Sequence, residues 1–110
     1  MYEYKVKEID RVIDGDTVDL IIDLGFDIFV KKRVRLAGIN APETRTRNKE
    51  IKKKGLESKE FFKFQIYSRK ELILLSKKIG KYGRVIGEIF DEEGKSLNEM
   101  MVDGGFAARA

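Results

Sequence analysis

Apolar residues alternate with polar ones along three consecutive segments near the start of the chain. The segments are residues 4–13, 17–24 and 27–38, and short stretches containing Asp and Gly separate them. A period of two, with many β-branched residues, is typical of strands that bury one face. Three consecutive antiparallel strands are the simplest arrangement that this pattern predicts.

The pattern changes in the second half of the chain. In "LESKEFFKFQIY", residues 56–67, Phe62 and Ile66 are four positions apart. That spacing predicts a helix whose apolar stripe closes over the end of a sheet. The short apolar runs at residues 71–76 and 83–91 predict two more strands.

A second helix is predicted near the end of the chain. Ser96 is placed to cap its first turn, and Glu99 follows three residues later, as in a capping box. Gly104 is the expected stop.

The order of these elements predicts a five-stranded OB-type β-barrel with helices, an α+β fold. A chain of 110 residues with 42% hydrophobic content can build one modest core, so we expect residues 1–110 to form a single domain. Barrels of this type often bind nucleic acids, but a fold does not by itself fix a function.

Residues 40–55 show no apolar period, and we predict a mobile basic loop there. This segment attracts nucleic acid electrostatically in one interpretation and is a solvated loop without a partner in the other. Its positive charges, opposed by Glu50 alone, are Arg45, Arg47, Lys49, Lys52, Lys53 and Lys54.

The composition excludes several kinds of site. The chain has no histidine and no cysteine, which excludes zinc fingers, disulfides and nucleophiles activated by histidine. Any metal must be held by oxygen, a preference of Ca²⁺, Mg²⁺ and Mn²⁺. The 23 basic residues outnumber the 19 acidic ones, a balance that permits a polyanionic partner.

The first ten residues alternate charged and apolar positions, and no segment resembles a signal peptide or a membrane span. We therefore expect a soluble protein that works as a monomer, with no membrane partner. The cytoplasm and secretion after removal of a signal both remain open.

Four charged residues stand where the predicted strands end: Asp16, Arg35, Glu43 and Arg84. Each one alone is typical of a solvated turn. Hydrolysis of a phosphodiester adds negative charge to an anion, so it requires positive groups around the phosphate and a carboxylate to handle the water proton when histidine is absent.

The segments "IDGDTVDL", "VRLAGINAPET", "KYGRVIGEIF" and "LNEMMVDGGFA" resemble the staphylococcal nuclease (thermonuclease) family. They occur in the family's order, and the resemblance covers residues 9–108. It implies an OB-fold of the nuclease type and a Ca²⁺-dependent phosphodiesterase. The implied substrates are single-stranded DNA and RNA, cleaved with little sequence preference. The chain ends before the C-terminal helix of longer family members.

The resemblance also implies a calcium site made by Asp16, Asn40 and the backbone carbonyl of Ala41. Asn40 departs from the carboxylate that the family usually has at this position. An amide still offers an oxygen ligand, but the site has one formal charge fewer, so weaker binding of Ca²⁺ is expected.

Catalytic roles are implied for Arg35 and Arg84, which match the pair that grips the phosphate. Glu43 matches the residue that orients or deprotonates the attacking water. Lys81 and Tyr82 match contacts to the terminal phosphate of the nucleotide, although a Tyr and a Lys beside a strand end are also common surface features.

Two other interpretations stay open. In the first, the chain is a non-catalytic OB module that binds nucleic acid or protein, and Asn40 is the first sign of a decayed site. In the second, it is a truncated or engineered scaffold, which explains the early C-terminus.

Overall fold

A computed structural model describes all residues from 1 to 110. It contains seven strands, two α-helices and one 3₁₀ turn. In chain order these are β1 (Tyr2–Asp14), β2 (Thr17–Asp23), β3 (Phe29–Leu36), β4 (Ile39–Asn40), α1 (Lys49–Tyr67), β5 (Leu72–Ile79), the 3₁₀ turn Lys81–Gly83, β6 (Val85–Asp91), α2 (Leu97–Asp103) and β7 (Ala108–Arg109).

Five strands form a closed barrel in the order β1-β2-β3-β6-β5, and β5 pairs back with β1. All neighbours are antiparallel except β3 and β6, which run parallel. Val18, Leu20 and Ile22 of β2 point into the core, as the alternation predicts. The predicted five-stranded barrel with helices is therefore confirmed.

Helix α1 covers one side of the barrel core. Phe62 and Ile66 are fully buried, as their four-residue spacing predicts. The ring of Phe61 stacks on Phe106 with centroids 4.2 Å apart, which ties α1 to the C-terminal segment. Phe64 lies off this stripe and is exposed.

The prediction of a loop over residues 40–55 is wrong in its second half, because α1 begins at Lys49. Asn48 caps the helix: its side-chain oxygen accepts from the amides of Glu50 and Ile51 at 3.0 and 3.1 Å. Lys and Glu have good helix propensity, so a solvated first turn forms without an apolar stripe. The absence of a period was therefore no evidence against a helix.

The C-terminal segment contains features that the hydrophobic pattern did not predict. The short strands β4 and β7 pair, with Asn40 opposite Ala108. The Ser96 side chain caps α2 as predicted, accepting from the amide of Glu99 at 3.2 Å. The Glu99 carboxylate accepts two hydrogen bonds from Arg109. The C-terminal residues thus hold the turn that contains Asn40.

Neither helix combines the length and the apolar composition that crossing a membrane requires.

Candidate active site

One outer face of the barrel carries a row of arginines. Arg33 and Arg35 are two residues apart on β3, so the pleat directs both side chains away from the core. Val34 is buried between them and pairs with Val85 of β6. Arg84 precedes Val85, and the register therefore places it on the same face as the two arginines of β3.

Asp16, at the turn between β1 and β2, is a buried carboxylate with three partners. Its Oδ1 accepts from the Thr17 hydroxyl at 2.9 Å, and its Oδ2 accepts from the Ala41 amide at 2.8 Å. Nη2 of Arg35 lies 3.3 Å from the same Oδ2. These contacts connect the first turn of the barrel to the segment after β4.

Arg35 closes the turn that follows β3. Its Nη1 donates to the carbonyl oxygens of Leu36 and Ile39, both at 2.8 Å, and its Nη2 donates to Oδ1 of Asn40. Gly38 has a φ of 76° within this turn, a conformation that favours glycine. One guanidinium therefore contacts the side chains of both Asp16 and Asn40.

Small residues on α1 let two loops approach the helix closely. A methyl group at Gly55 would overlap the carbonyl oxygen of Glu43, and one at Gly15 would overlap the side chain of Ser58. Ser58 is fully buried, and its hydroxyl donates to the carbonyl of Phe106 at 2.8 Å. Helix α1 thus sets the position of the segments that contain Asp16 and Glu43.

The backbone around Glu43 is fixed, but its carboxylate makes no hydrogen bond or ion pair and is exposed to solvent. On one side the Ala41 amide is bonded to Asp16; on the other the Thr44 hydroxyl donates to Asp14 at 2.6 Å. An exposed carboxylate on a held backbone can accept a proton from a water molecule.

A cleft of about 640 Å³ lies beside Arg84. The Nε of Arg84 is enclosed by protein and has no hydrogen-bond partner. A buried donor without a partner is costly, and the other nitrogens of this guanidinium also make no hydrogen bond or ion pair, so no carboxylate compensates its charge. The cleft is lined by Ile13, Asp14, Thr17, Arg33, Arg45, Tyr82 and Arg84.

Tyr82 projects into solvent at the edge of this cleft. Its side chain is 98% exposed, and its backbone has a φ of 60°, in the left-handed region that non-glycine residues seldom adopt. Gly83 also has a positive φ, of 74°, and the Arg84 amide donates to the Lys81 carbonyl at 3.3 Å, so this conformation belongs to the tight turn that joins β5 to β6. Lys81 is also exposed but does not line the cleft.

The predicted site residues therefore fall into two groups and two separate residues. Asp16, Arg35, Asn40 and Ala41 form one contact cluster, which we call the Asp16 cluster. Arg84 and Tyr82 line the cleft, which Thr17 connects to the cluster because its hydroxyl bonds Asp16. Glu43 follows the cluster in sequence but touches neither group. Lys81 stands apart.

Arg33 differs from Arg35 in forming a bidentate pair with a carboxylate. Its Nε and Nη2 donate to the two oxygens of Asp19 at 2.8 and 3.1 Å. This hydrogen-bonded pair lowers the pKa of Asp19 below its ordinary value and raises the pKa of Arg33. Both groups stay ionised at neutral pH.

Residues 33–110 match the family described as "Staphylococcal nuclease homologue". The chain belongs to this family. It is 30% identical over 108 residues to "Protein ParB" of Escherichia coli, a match that covers 91% of this chain and 54% of that protein. It is 28% identical over 97 residues to an "Uncharacterized endonuclease" of Escherichia coli, with 88% and 56% covered. The chain therefore spans about half the length of these relatives.

The Asp16 cluster contains oxygen atoms of the kind that hard cations take. Asp16 supplies a carboxylate, and the Asn40 amide oxygen contacts the same Nη2 of Arg35 that Asp16 contacts. Ala41 contacts Asp16 through its backbone amide. No three acidic side chains converge anywhere in the structure. The cluster thus has oxygen donors that Ca²⁺ accepts, but a single carboxylate, and Arg35 contacts both side-chain oxygens.

Several residues that shape the site were not predicted from the sequence. Thr17 and Arg33 line the cleft, whereas Gly55 and Ser58 seat the loops on α1. Arg45, predicted only as part of the basic segment, also lines the cleft. Of the residues that were not predicted, Gly55 has a recognisable sequence signal. A glycine inside a run of good helix formers costs about 1 kcal/mol relative to alanine, so its presence indicates a packing constraint.

Proposed function

We propose that this protein is a Ca²⁺-dependent phosphodiesterase that hydrolyses single-stranded DNA and RNA with little sequence preference. Residues 1–110 would act as one nuclease domain, as a monomer. Membership of the nuclease family supports the reaction class, and one of its relatives carries the name endonuclease.

The observation that carries the proposal is the Arg84 guanidinium, which makes no hydrogen bond or ion pair and lines a cleft together with Arg45. A phosphate oxygen is the natural acceptor for such a donor, because guanidinium and phosphate form short, charge-assisted hydrogen bonds. The only carboxylate lining the cleft is Asp14, which accepts from Thr44. The cleft therefore favours an anion.

Three side chains share the work on the phosphate. Arg84, from the cleft, and Arg35, from the edge of the Asp16 cluster, donate to the phosphoryl oxygens and stabilise the charge that accumulates in the transition state. Glu43 orients the attacking water and accepts its proton, since the chain has no histidine for this task. Water attacks in line with the leaving oxygen, the bond from phosphorus to the 5′-oxygen breaks, and that oxygen takes a proton from solvent to become the 5′-hydroxyl.

Tyr82 and Lys81 would bind the nucleotide next to the scissile phosphate. The exposed ring of Tyr82 offers a face on which a base can stack, and the Lys81 ammonium can reach a neighbouring phosphate. Neither contact distinguishes one base from another, which accords with low sequence preference.

Asp16, Asn40 and Ala41 would hold the calcium ion. When bound, Ca²⁺ neutralises part of the negative charge on the phosphoryl oxygens. Arg35 must then relax part of its present contact with Asp16 and Asn40.

Incubation of the purified protein with single-stranded DNA in Ca²⁺, in Mg²⁺ and in a chelator tests the proposal directly. We expect cleavage in Ca²⁺ and none in the chelator. Glu43→Gln is the control, because it removes the base without changing the shape of an exposed side chain. Equal cleavage by the parent protein and this variant would point to a contaminating nuclease.

A second candidate, a binding module without catalysis, is favoured by one feature. Asn40 replaces a carboxylate, and Arg35 already occupies both side chains of the predicted metal site. Tight binding of single strands with no cleavage under any metal condition would select this alternative.

A further inference from the structure

A second groove adjoins the cleft and has no role in the reaction proposed above. It has a volume of about 380 Å³ and lies between the end of β1 and the outer side of α1. Its lining residues are Asp10, Arg11, Val12, Ile13, Thr44, Arg45, Lys59, Lys63 and Tyr67. We call it the β1–α1 groove.

The groove is positively charged on both walls. Arg11 projects from β1, while Lys59 and Lys63 are four residues apart on α1 and so lie on one face of the helix. Arg11 and Lys59 make no ion pair, and Lys63 has only a long surface contact of 3.6 Å with Glu60. These cations are available to a ligand.

The one carboxylate of the groove, Asp10, is already paired. Its Oδ2 lies 3.0 Å from Nζ of Lys31, outside the groove. At the far end of the helical face, Tyr67 follows Lys63 by four residues, and its ring is exposed. Unpaired cations interleaved with an exposed aromatic ring are typical of surfaces that follow a single nucleic-acid strand.

The groove and the cleft are continuous. Arg45 and Ile13 line both of them. The backbone next to Arg45 is held because the Thr44 hydroxyl donates to Asp14. A chain bound at Arg84 therefore meets Arg45 next and can continue toward Arg11 and α1.

We propose that the β1–α1 groove binds the nucleic-acid strand that flanks the scissile phosphate, with its phosphates on Arg11, Lys59 and Lys63 and a base on Tyr67. This inference rests on the proposed function, because that function places the scissile phosphate in the cleft from which the bound strand continues into the groove. It assigns the groove to affinity for long substrates and not to the chemical step.

The test compares two variants that each lose three positive charges. The groove variant carries Arg11→Gln, Lys59→Gln and Lys63→Gln. The control carries Lys5→Gln, Lys32→Gln and Lys78→Gln, three residues that line neither the groove nor the cleft and make no ion pair. Binding is measured by fluorescence anisotropy in chelator, with single-stranded DNA of about 3 and about 12 nucleotides, lengths chosen around the site size of one OB-fold.

We expect the groove variant to bind the long strand about 10-fold or more weakly than the control does, with the short strand bound equally by both. The slope of log Kd against log salt for the long strand should fall by about 2, since each lost phosphate contact contributes about 0.7 for single strands. Tyr67→Ala should weaken the long strand by about 5-fold or more and leave this slope unchanged.

Thermal denaturation first checks that the groove variant and the control are both folded. Equal affinities and equal slopes for these two folded proteins would overturn the proposal. So would an oligoglutamate peptide that competes with the long strand at equal charge concentration, because the groove would then accept any polyanion. The binding experiment contains no Ca²⁺ and no turnover, so its failure is distinct from a failure of the nuclease proposal, which the cleavage assay reports.

Discussion

Arg33 and Arg35 lie two residues apart on the same face of β3, yet their guanidinium groups have opposite surroundings. Arg33 forms a bidentate pair with Asp19, a buried carboxylate directly opposite it on β2. Arg35 stands opposite Thr17 and turns toward backbone carbonyls and an amide side chain. Its only contact with a carboxylate is the 3.3 Å approach to Asp16.

The two arginines differ in how far a carboxylate compensates their charge. The bidentate pair with buried Asp19 compensates the charge of Arg33, although three of its five N–H donors stay unused. Arg35 uses four of its donors, three on neutral oxygens and one on Asp16. One alternating strand therefore carries a bidentate ion pair and an arginine with a single long contact to a carboxylate.

The largest difference between variants of Arg35 and Arg33 is expected in kcat. Lysine keeps the charge of arginine but loses its planar fork, so Arg35→Lys should lower kcat with Ca²⁺ by about 10²-fold or more. Arg84→Lys should behave alike, since it acts from the neighbouring cleft. Arg33→Lys should stay within roughly 3-fold of the parent, because its partner is Asp19 and not the substrate.

Single-turnover cleavage of labelled single-stranded DNA, with the thermal midpoint of each variant, measures this contrast. Near-normal turnover in folded Arg35→Lys or Arg84→Lys would remove that residue from the mechanism. A loss in Arg33→Lys as large as in Arg35→Lys would abolish the distinction between the two arginines.

The substitution Glu43→Gln tests whether the phosphate beside Arg35 is hydrolysed with the help of Glu43 or is only bound. Removal of a general base costs about 10² to 10⁴-fold in rate, so we expect a loss of about 10²-fold in kcat. Affinity for a non-cleavable oligonucleotide should hardly change, because the Glu43 carboxylate makes no hydrogen bond or ion pair in the structure. A parallel loss of affinity and rate would show a binding role instead.

Asn40→Asp makes the surroundings of Arg35 resemble those of Arg33. The added carboxylate gives the site a second formal charge, and we expect Ca²⁺ to bind about 10-fold more tightly. Calorimetric titration of the parent and the variant with Ca²⁺ measures the change. Asn98→Asp is unsuitable as a control because Asn98 is buried and hydrogen-bonded to the backbone of β6. Asp23→Asn, at the distant end of β2, is the better control. Unchanged affinity in Asn40→Asp means that residue 40 is not a ligand.

The smallest expected effect is a change in the free energy of unfolding when the ion pair between Arg33 and Asp19 is removed. The hydrogen-bonded Arg33 guanidinium holds the pKa of Asp19 below the ordinary value of 3.8. A lowered carboxyl pKa stabilises the folded state fully above the unfolded pKa, and this contribution disappears as the pH falls through the folded pKa. Because Arg33 is half exposed, Asp19→Asn should cost only about 1 to 2 kcal/mol at pH 7.

Urea denaturation of the parent and Asp19→Asn from pH 7 to pH 2 checks this prediction. The difference in the free energy of unfolding should be constant down to about pH 4 and shrink below it. A difference that persists unchanged at pH 2 would show that the cost comes from packing and not from the charge pair.

Much of the barrel could be predicted because period-two alternation reports directly on burial. Val18, Leu20 and Ile22 illustrate this, since each is buried where the pattern places it. The first turns of α1 could not be predicted in the same way. Lys49 to Lys54 bury little, and the Asn48 cap starts the helix through two backbone hydrogen bonds that leave no hydrophobic signature.

The sequence by itself determined the class of chemistry. Without histidine or cysteine, oxygen atoms are the metal ligands that the chain offers and a carboxylate is the expected base, and the motif order around Asp16, Arg35 and Arg84 indicated the family. These are properties of residue type and of chain order, which folding does not alter.

Only the tertiary structure decided which arginine has a partner and which surfaces join. Asp19 faces Arg33 because of the register of β2 and β3, and Arg45 connects the cleft to the β1–α1 groove because the Thr44 hydroxyl is bonded to Asp14, 30 positions earlier in the chain. Such contacts join residues far apart in the chain. Their geometry depends on strand register and loop packing, and a local pattern of polar and apolar residues carries no record of either.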